Sequence, residues 1–125
     1  MKQLIFVFVG GGVGSVLRFA VAKYLAAYSV HFPIATLCAN VLACLLLGIV
    51  AGSAGRGAVS ESARLLLIVG ICGGFSTFST FSGETLQLLQ TGRYGIAALY
   101  VCGSLGACVG GVAIGLRLAT LLPRF

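Results

Sequence analysis

The most informative part of the sequence is Gly73-Gly74-Phe75-Ser76-Thr77-Phe78-Ser79-Thr80-Phe81-Ser82, which interrupts an otherwise apolar segment. Paired glycines weaken a helix, and five hydroxyl side chains follow within seven residues. Inside a membrane, the backbone groups freed by such an interruption have to be satisfied by protein, water or ions. The stretch therefore predicts a membrane helix that is broken near residues 73–77 and carries a site for an ion of either sign.

The composition around this stretch is typical of a membrane protein. Of the 125 residues, 59% are hydrophobic and 8% are charged, whereas a water-soluble domain carries about 25% charged residues. The mean hydropathy is +1.13. Asp is absent, and the two acids are Glu61 and Glu84. These side chains cannot cover a water-facing surface, so we expect a single transmembrane domain over residues 1–125.

Four apolar runs are long enough to cross the hydrocarbon core, which takes about 20 residues. The predicted spans are about 4–22, 33–51, 63–90 and 95–118, and the connection 52–60 is rich in Gly and Ser, as loops are. The apolar start resembles a signal peptide, but no clear cleavage site follows, so we interpret it as the first span. The expected fold is an all-α membrane protein with four transmembrane helices, the third broken mid-membrane.

The net charge of +6 comes from cations that stand singly, mostly near the ends of the apolar runs. Basic side chains there anchor helices to headgroups, so we do not expect a nucleic-acid surface. The side of the termini carries five cations and the other side three, a weak bias that permits insertion in both orientations and hence an antiparallel homodimer. The five are Lys2, Arg56, Arg64, Arg117 and Arg124, and the three are Arg18, Lys23 and Arg93.

Small residues recur four apart in the first and fourth spans, a pattern at which helices approach closely in lipid. The pairs are Gly10 with Gly14, Gly106 with Gly110, and Gly111 with Gly115. Packing within one chain and packing between two chains fit this pattern equally well, but four helices hardly enclose a pore, which favours an oligomer. The cysteines lack metal-ligand spacing and are interpreted as packing residues. They are Cys38, Cys44, Cys72, Cys102 and Cys108.

Polar and aromatic residues in the second and third spans are candidate ion contacts. Asn40 stands near mid-span, where an unpaired amide is costly, so it either bridges helices or lines a cavity. Phe78 and Phe81 are three residues apart and share a helix face. Their electron-poor ring edges favour an anion in the ring plane, although plain packing fits the same spacing.

The ends of the spans and the fourth span add further candidates. Tyr100, Ser104 and Cys108 recur every four residues and form one stripe, with hydroxyl donors for a pore or for the broken helix. Glu84 is expected near a membrane edge as a helix cap, as a partner of an arginine or as part of an ion path. Arg18 either attracts anions into a vestibule or extends its charge to the headgroups.

In this order, the motifs resemble the CrcB/Fluc fluoride channels over essentially the whole chain. They are Gly11-Gly12-Val13-Gly14-Ser15-Val16-Leu17-Arg18, then Asn40, then Gly73 through Ser82 with Gly83-Glu84, and last Tyr100 with Ser104. The resemblance implies a dual-topology antiparallel homodimer in the bacterial inner membrane, with two pathways that export fluoride passively.

The resemblance also implies roles for individual residues. The fluoride pathway would be lined by Asn40, Phe78, Phe81, Ser79, Thr80, Tyr100 and Ser104, with Arg18 at a vestibule. A structural Na⁺ at the dimer interface would be held by the backbone carbonyls of Gly73 and Ser76. Two departures stand out: Cys108 replaces a serine that is frequent in the family, and Phe75-Ser76 replaces the more usual Leu-Thr.

Three other classes of protein are less consistent with these residues. A small four-span, dual-topology exporter of cationic drugs is expected to carry an acid in its first span, and this span has none. A non-transporting assembly subunit would use the small residues and Asn40 only to join helices. An enzyme is not expected, because no His, Asp or paired acid lies within the spans to activate a nucleophile.

Overall fold

The computed structural model describes residues 1–121, and its helices follow the four apolar runs. The first, second and fourth runs are single helices. The third is composite, because an α-helical start gives way to a π-helix, a short α-helical turn, two extended residues and a further α-helix. The bounds are Lys2–Tyr24 for α1, Ile34–Gly55 for α2, Glu61–Arg64 for α3, Leu65–Cys72 for the π-helical segment, Gly73–Phe75 for α4, Phe78–Gln90 for α5 and Tyr94–Leu121 for α6.

All four runs are long and apolar enough to cross a membrane, as judged by length and composition. They contain 23, 22, 30 and 28 residues, the third counted from Glu61 to Gln90. The prediction of an all-α chain with four candidate spans is therefore confirmed. Arg124, which contributes to the predicted charge bias, lies outside the described residues.

The connection after the second span is shorter than the sequence pattern predicts. Helix α2 continues to Gly55, so the prediction that the loop begins at Gly52 was wrong. Packing against α6 explains the extension, because a Cβ placed on Gly52 would lie 2.7 Å from the Cβ of Ala119 and the Arg56 side chain donates a hydrogen bond to the Ala119 carbonyl. The chain then turns at Gly57, whose φ of +75° favours glycine.

Helix α1 packs on the first half of the third span through glycines on both sides. A Cβ placed on Gly14 would lie 2.3 Å from the carbonyl oxygen of Ile71, and one placed on Gly70 would lie 2.7 Å from the Cα of Gly10. No side chain fits at such distances, so the two backbones touch directly. Gly10 and Gly14 therefore serve packing within one chain.

Helices α2 and α6 form a second glycine-mediated pair. A Cβ on Gly48 would lie 2.9 Å from the Cα of Gly115, and the contact of Gly52 with Ala119 follows one turn later on both helices. Because the contacts advance in the same direction, α2 and α6 run parallel. This pairing brings the central residues of the second and fourth spans onto a common layer.

Other faces of the helices have no neighbour within the described chain. A Cβ on Gly106 or Gly110 would meet nothing within 4 Å there, in contrast to Gly111 and Gly115. Large apolar side chains also point outward, among them Phe8, which is 82% exposed. Such surfaces suit lipid or a second protein chain rather than water.

Part of the buried core forms two clusters. One cluster consists of Ala39, Ala43 and Phe75. The other consists of Leu88, Ala97 and Tyr100, with Phe81 packed against it. The first cluster contains Phe75, which directly precedes the extended segment, and the second fixes Phe81 further along α5.

Candidate functional site

The backbone is extended at Ser76 and Thr77, between α4 and α5. Their φ and ψ angles are −72° and 155° for Ser76, and −149° and 108° for Thr77. Side chains accept hydrogen bonds from two of the amides in the interrupted turn. Thr77 N donates to Asn40 Oδ1 at 2.7 Å, and Thr80 N donates to Thr77 Oγ1 at 3.2 Å. In a continuous α-helix these amides would donate to the carbonyls of Gly73 and Ser76. Both carbonyls have therefore lost their helical donors.

Asn40 bridges α2 to the extended segment with both ends of its amide. Besides accepting from Thr77 N, it donates from Nδ2 to the Thr77 carbonyl at 3.4 Å. An NH₂ group carries two hydrogens, so one hydrogen of Nδ2 stays available for a further acceptor. Of the two roles open to Asn40 from the sequence, bridging is present, and the side chain also lines a groove.

This groove, which we call the phenylalanine groove, lies between α2, α5 and α6 and has a volume of about 220 Å³. It is lined by Asn40, Cys44, Ser76, Thr77, Phe78, Phe81, Ser104, Leu105 and Cys108. None of these lining residues is an Asp, Glu, His, Lys or Arg. The sequence-predicted residues Asn40, Phe78, Phe81 and Ser104 thus meet in one place.

Ser104 stands out among the groove residues because its hydroxyl is buried and has no partner. The residue is 5% exposed, and its Oγ makes no hydrogen bond within residues 1–121. Burying a hydroxyl without a partner costs about 1–3 kcal/mol in proteins. An orphaned donor that lines a groove is a position at which a small anion or a water molecule can be bound.

The two phenylalanines of the groove share one face, as their spacing predicts. Their ring centroids are 5.7 Å apart with an interplanar angle of 36°. Phe78 is 78% exposed, whereas Phe81 is half-buried and packs on Tyr100 with a centroid distance of 5.1 Å. Phe81 is therefore positioned by the core, and Phe78 stands at the open side of the groove.

Tyr100 does not line the groove, although it belongs to the same stripe as Ser104. It is fully buried, and its hydroxyl donates to Glu84 Oε2 at 2.7 Å. Thr36 Oγ1 donates to the other carboxylate oxygen of Glu84 at 2.8 Å. Glu84 thus accepts from α2 and α6 together, and none of the three roles considered for it from the sequence describes this bridge.

Sequence reasoning missed Thr36 altogether. Its only local signal is a hydroxyl in the first turn of an apolar helix, and many such threonines bond back to their own helix. The bond from Thr36 to Glu84 joins residues 48 positions apart. No pattern near either residue announces that contact.

Arg18 lines a second pocket, on the α1 side of the extended segment, with a volume of about 290 Å³. Thr77 and Thr80 also line this pocket. Thr77 Oγ1 donates to Thr80 Oγ1 at 2.9 Å and lies 3.3 Å from Ser79 Oγ. Because Thr77 lines both pockets, the Thr77–Thr80 network stands between Arg18 and the phenylalanine groove.

Ser82, another hydroxyl of the third span, bonds back to its own helix. It is exposed and donates to the carbonyl of Phe78 at 2.9 Å, one turn earlier in α5. Thr85 does the same toward Phe81 at 2.8 Å. These hydroxyls satisfy their own helix and leave no donor for an ion.

Residues 5–116 match the model of the family described as CrcB-like protein, Camphor Resistance (CrcB). The curated relatives include proteins named fluoride-specific ion channel FluC. The one from Novosphingobium aromaticivorans is 46% identical over 121 residues, which cover 94% of this chain and 96% of the relative. The one from Phocaeicola vulgatus is 42% identical over 122 residues, with 93% and 97% covered. A third, from Methylobacillus flagellatus, is 43% identical over 108 residues and 84% of each chain.

Proposed function

The chain belongs to the CrcB family, and from this premise we propose that it is a passive, fluoride-selective channel of the bacterial inner membrane, with the phenylalanine groove as part of the ion path. The observation that carries the proposal is the buried, unpartnered hydroxyl of Ser104 beside the rings of Phe78 and Phe81. The relatives named above bear the name of fluoride-specific ion channels, which supports the same ion.

The chemistry of fluoride suits this groove. Fluoride is small and strongly hydrated, so a path has to replace its water shell with several donors. Ser104 Oγ, the second hydrogen of Asn40 Nδ2 and the electron-poor edges of Phe78 and Phe81 supply such contacts without a fixed cation. Binding is then strong enough for the ion to enter and weak enough for it to leave.

The Arg18 pocket supports a role as the vestibule of this path. Its guanidinium is a permanent positive charge that raises the local concentration of anions. The pocket reaches Thr77 and Thr80, and Thr77 also borders the phenylalanine groove. Fluoride would pass from Arg18 along the threonine hydroxyls, with Ser79 adjacent, toward Asn40 and Ser104. Driven by its own gradient, it would leave the cytoplasm after hydrofluoric acid has entered and dissociated.

A second copy of the chain would complete the path on its open side. Phe78 is 78% and Leu105 is 59% exposed, so the groove lacks a wall in the single chain. We propose that an antiparallel partner provides this wall, which gives two equivalent pores per homodimer. The weak charge bias between the two sides of the membrane is consistent with insertion in both orientations.

The freed carbonyls of Gly73 and Ser76 fit the sodium ion that the family implies. Oxygen atoms are the ligands that hard cations prefer, and unwound helices at mid-membrane hold Na⁺ in this way. Gly73 is exposed and Ser76 is half-buried, so both can face a partner. A bound sodium would supply positive charge that holds the two copies together, and it takes no part in the fluoride steps described above.

Fluoride efflux from liposomes tests the proposal. The purified protein should release fluoride with no added energy source and retain chloride. Ser104→Ala removes the orphaned donor and Phe81→Ile removes a ring edge. Ser104→Ala should slow fluoride efflux by about tenfold or more, since a hydrogen bond to a charged group contributes about 1.5–3 kcal/mol. Phe81→Ile should slow efflux as well, because the ion loses an electron-poor ring edge.

Ser82→Ala is the matched control, because that hydroxyl is bonded to its own helix and should not matter. Wild-type efflux in Ser104→Ala and Phe81→Ile, with the fold intact, would remove the groove from the path. Exchange of a cationic dye for protons, with no fluoride efflux, would identify a cation-drug exporter instead.

A further inference from the structure

Two cysteines from different helices share the phenylalanine groove. Cys44 of α2 and Cys108 of α6 both line it, both are half-buried, and both are free thiols. The parallel pairing of α2 and α6 brings them together, since a Cβ on Gly111, one turn from Cys108, would lie 3.6 Å from the Cβ of Cys44.

The chemistry of two thiols that line one groove selects one class of ligand. Thiolates prefer soft metal ions, whereas hard cations prefer oxygen. Within residues 1–121, no group of three or more His, Cys, Asp or Glu side chains is placed to hold a metal ion, so a tetrahedral zinc site is not offered there. A pair of thiols instead suits a d¹⁰ cation that accepts two ligands in a line, such as Hg²⁺, Ag⁺ or Cu⁺.

We propose that Cys44 and Cys108 form a two-sulfur binding site for a soft, thiophilic d¹⁰ cation, and that its occupation blocks the phenylalanine groove. With Hg²⁺, two S–H bonds break, two Hg–S bonds form, and two protons pass to water without any change of oxidation state. The binding part of this proposal depends only on the two thiols. The blocking part rests on the proposed function.

The position of the pair explains why binding would block the path. Ser104 precedes Cys108 by one turn of α6, and Asn40 precedes Cys44 by one turn of α2, so the thiols form the layer next to the fluoride donors. The hydroxyl of Ser104 has no partner, which indicates that this groove can accept a ligand. A bridging cation would join α2 to α6 across this groove.

Metal binding is measured first, because it does not depend on conduction. A variant that keeps only the pair, with Cys38, Cys72 and Cys102 replaced by Ala, is titrated with HgCl₂ in detergent. We expect one Hg²⁺ per chain by mass spectrometry and loss of both thiols to a thiol-reactive dye at that single equivalent. Two Hg²⁺ per chain, or one thiol left reactive, would overturn the two-sulfur site. If the variant does not fold, wild type, Cys44→Ser and Cys108→Ser are each saturated with HgCl₂ and then washed with an excess of a monothiol. Wild type should keep one Hg²⁺ per chain, because two thiols hold it, and each variant should keep none.

Fluoride efflux then tests the block. HgCl₂ should reduce wild-type efflux by at least about tenfold, and excess dithiol should restore it. After HgCl₂ and a wash with excess monothiol, Cys44→Ser and Cys108→Ser should each recover the efflux that they show before HgCl₂ is added. The control Cys102→Ser, which removes an exposed thiol of α6 outside the groove, should stay inhibited. Undiminished efflux from protein that carries Hg²⁺ would refute the block. Absence of efflux from every variant before HgCl₂ is added would contradict the proposed function instead, and the titration would still decide the site.

Discussion

At the scale of single residues, the hydroxyl groups of this protein differ in what they already bond. Ser82 and Thr85 donate to carbonyls one turn earlier in α5, and Tyr100 donates to Glu84. Ser104 is the buried hydroxyl left without a partner in residues 1–121. Since these side chains carry the same chemical group, their surroundings determine which one can bind an ion.

The bond from Tyr100 to Glu84 allows a first prediction about stability. Tyr100→Phe leaves one carboxylate oxygen of Glu84 without its donor, and the loss should lower the free energy of unfolding by about 1–2 kcal/mol. Thermal unfolding in detergent measures it. Tyr28→Phe, at a tyrosine that is 75% exposed, is the matched control and should change little.

Fluoride efflux separates this structural role of Tyr100 from direct contact with the ion. If Tyr100 acts through Glu84, Glu84→Gln should weaken the protein too, and the two substitutions together should cost less than the sum of their separate effects. A large loss of efflux in Tyr100→Phe at unchanged stability would instead mean that the hydroxyl meets fluoride, as the family resemblance implies.

At the scale of helices, glycine contacts decide how closely the spans approach. Helix α1 meets the third span at Gly14, where a Cβ would lie 2.3 Å from the carbonyl oxygen of Ile71. This contact places α1, and with it Arg18 one turn later, against the extended segment at Thr77. The shape of the Arg18 pocket therefore depends on backbone contact.

Gly14→Ala should separate α1 from the third span. The added methyl group cannot be accommodated by a side-chain rotation because it meets backbone, so we expect a loss of about 1–3 kcal/mol in stability. Gly12→Ala is the matched control on the same helix, since its Cβ would meet nothing within 4 Å of the described chain. Unfolding in detergent measures both variants, and equal stability of the two would contradict the close approach.

At the scale of the whole molecule, the open side of the phenylalanine groove is the surface that needs a partner. Leu105 borders this side and is 59% exposed, and Leu99, on another face of α6, is 63% exposed. The two leucines are thus similarly exposed, but only Leu105 is expected to contact a second copy of the chain. They offer a matched pair for the proposed homodimer.

Leu105→Ala should weaken self-association, and Leu99→Ala should not. Truncating a leucine that becomes buried between two copies costs about 2 kcal/mol, which corresponds to a dissociation constant raised more than tenfold. Energy transfer between labelled copies, measured while the protein is diluted in liposomes, reports the association. The same weakening in both variants, or no energy transfer in wild type, would contradict a dimer at this face.

Composition and hydropathy were enough to predict the all-α class and the four candidate spans. Hydropathy and paired glycines are local properties, so a window of about 20 residues is enough to recognise them. The specific pattern from Gly73 to Ser82 also led to the family. The end of α2 was predicted too early. Its last turn is rich in Gly and Ser, which is typical of a loop, but contact with α6 keeps this turn helical.

Which polar groups remain available in the candidate site depends on how the helices pack. Tyr100 and Ser104 occupy the same stripe of α6, yet one hydroxyl meets Glu84 and the other meets no partner in residues 1–121. Likewise, Asn40 accepts a hydrogen bond from the amide of Thr77, 37 residues away, and the Gly73 carbonyl therefore lacks its helical donor. Hydrogen bonds of this kind join groups far apart in the chain, and their geometry exists only after the helices have packed.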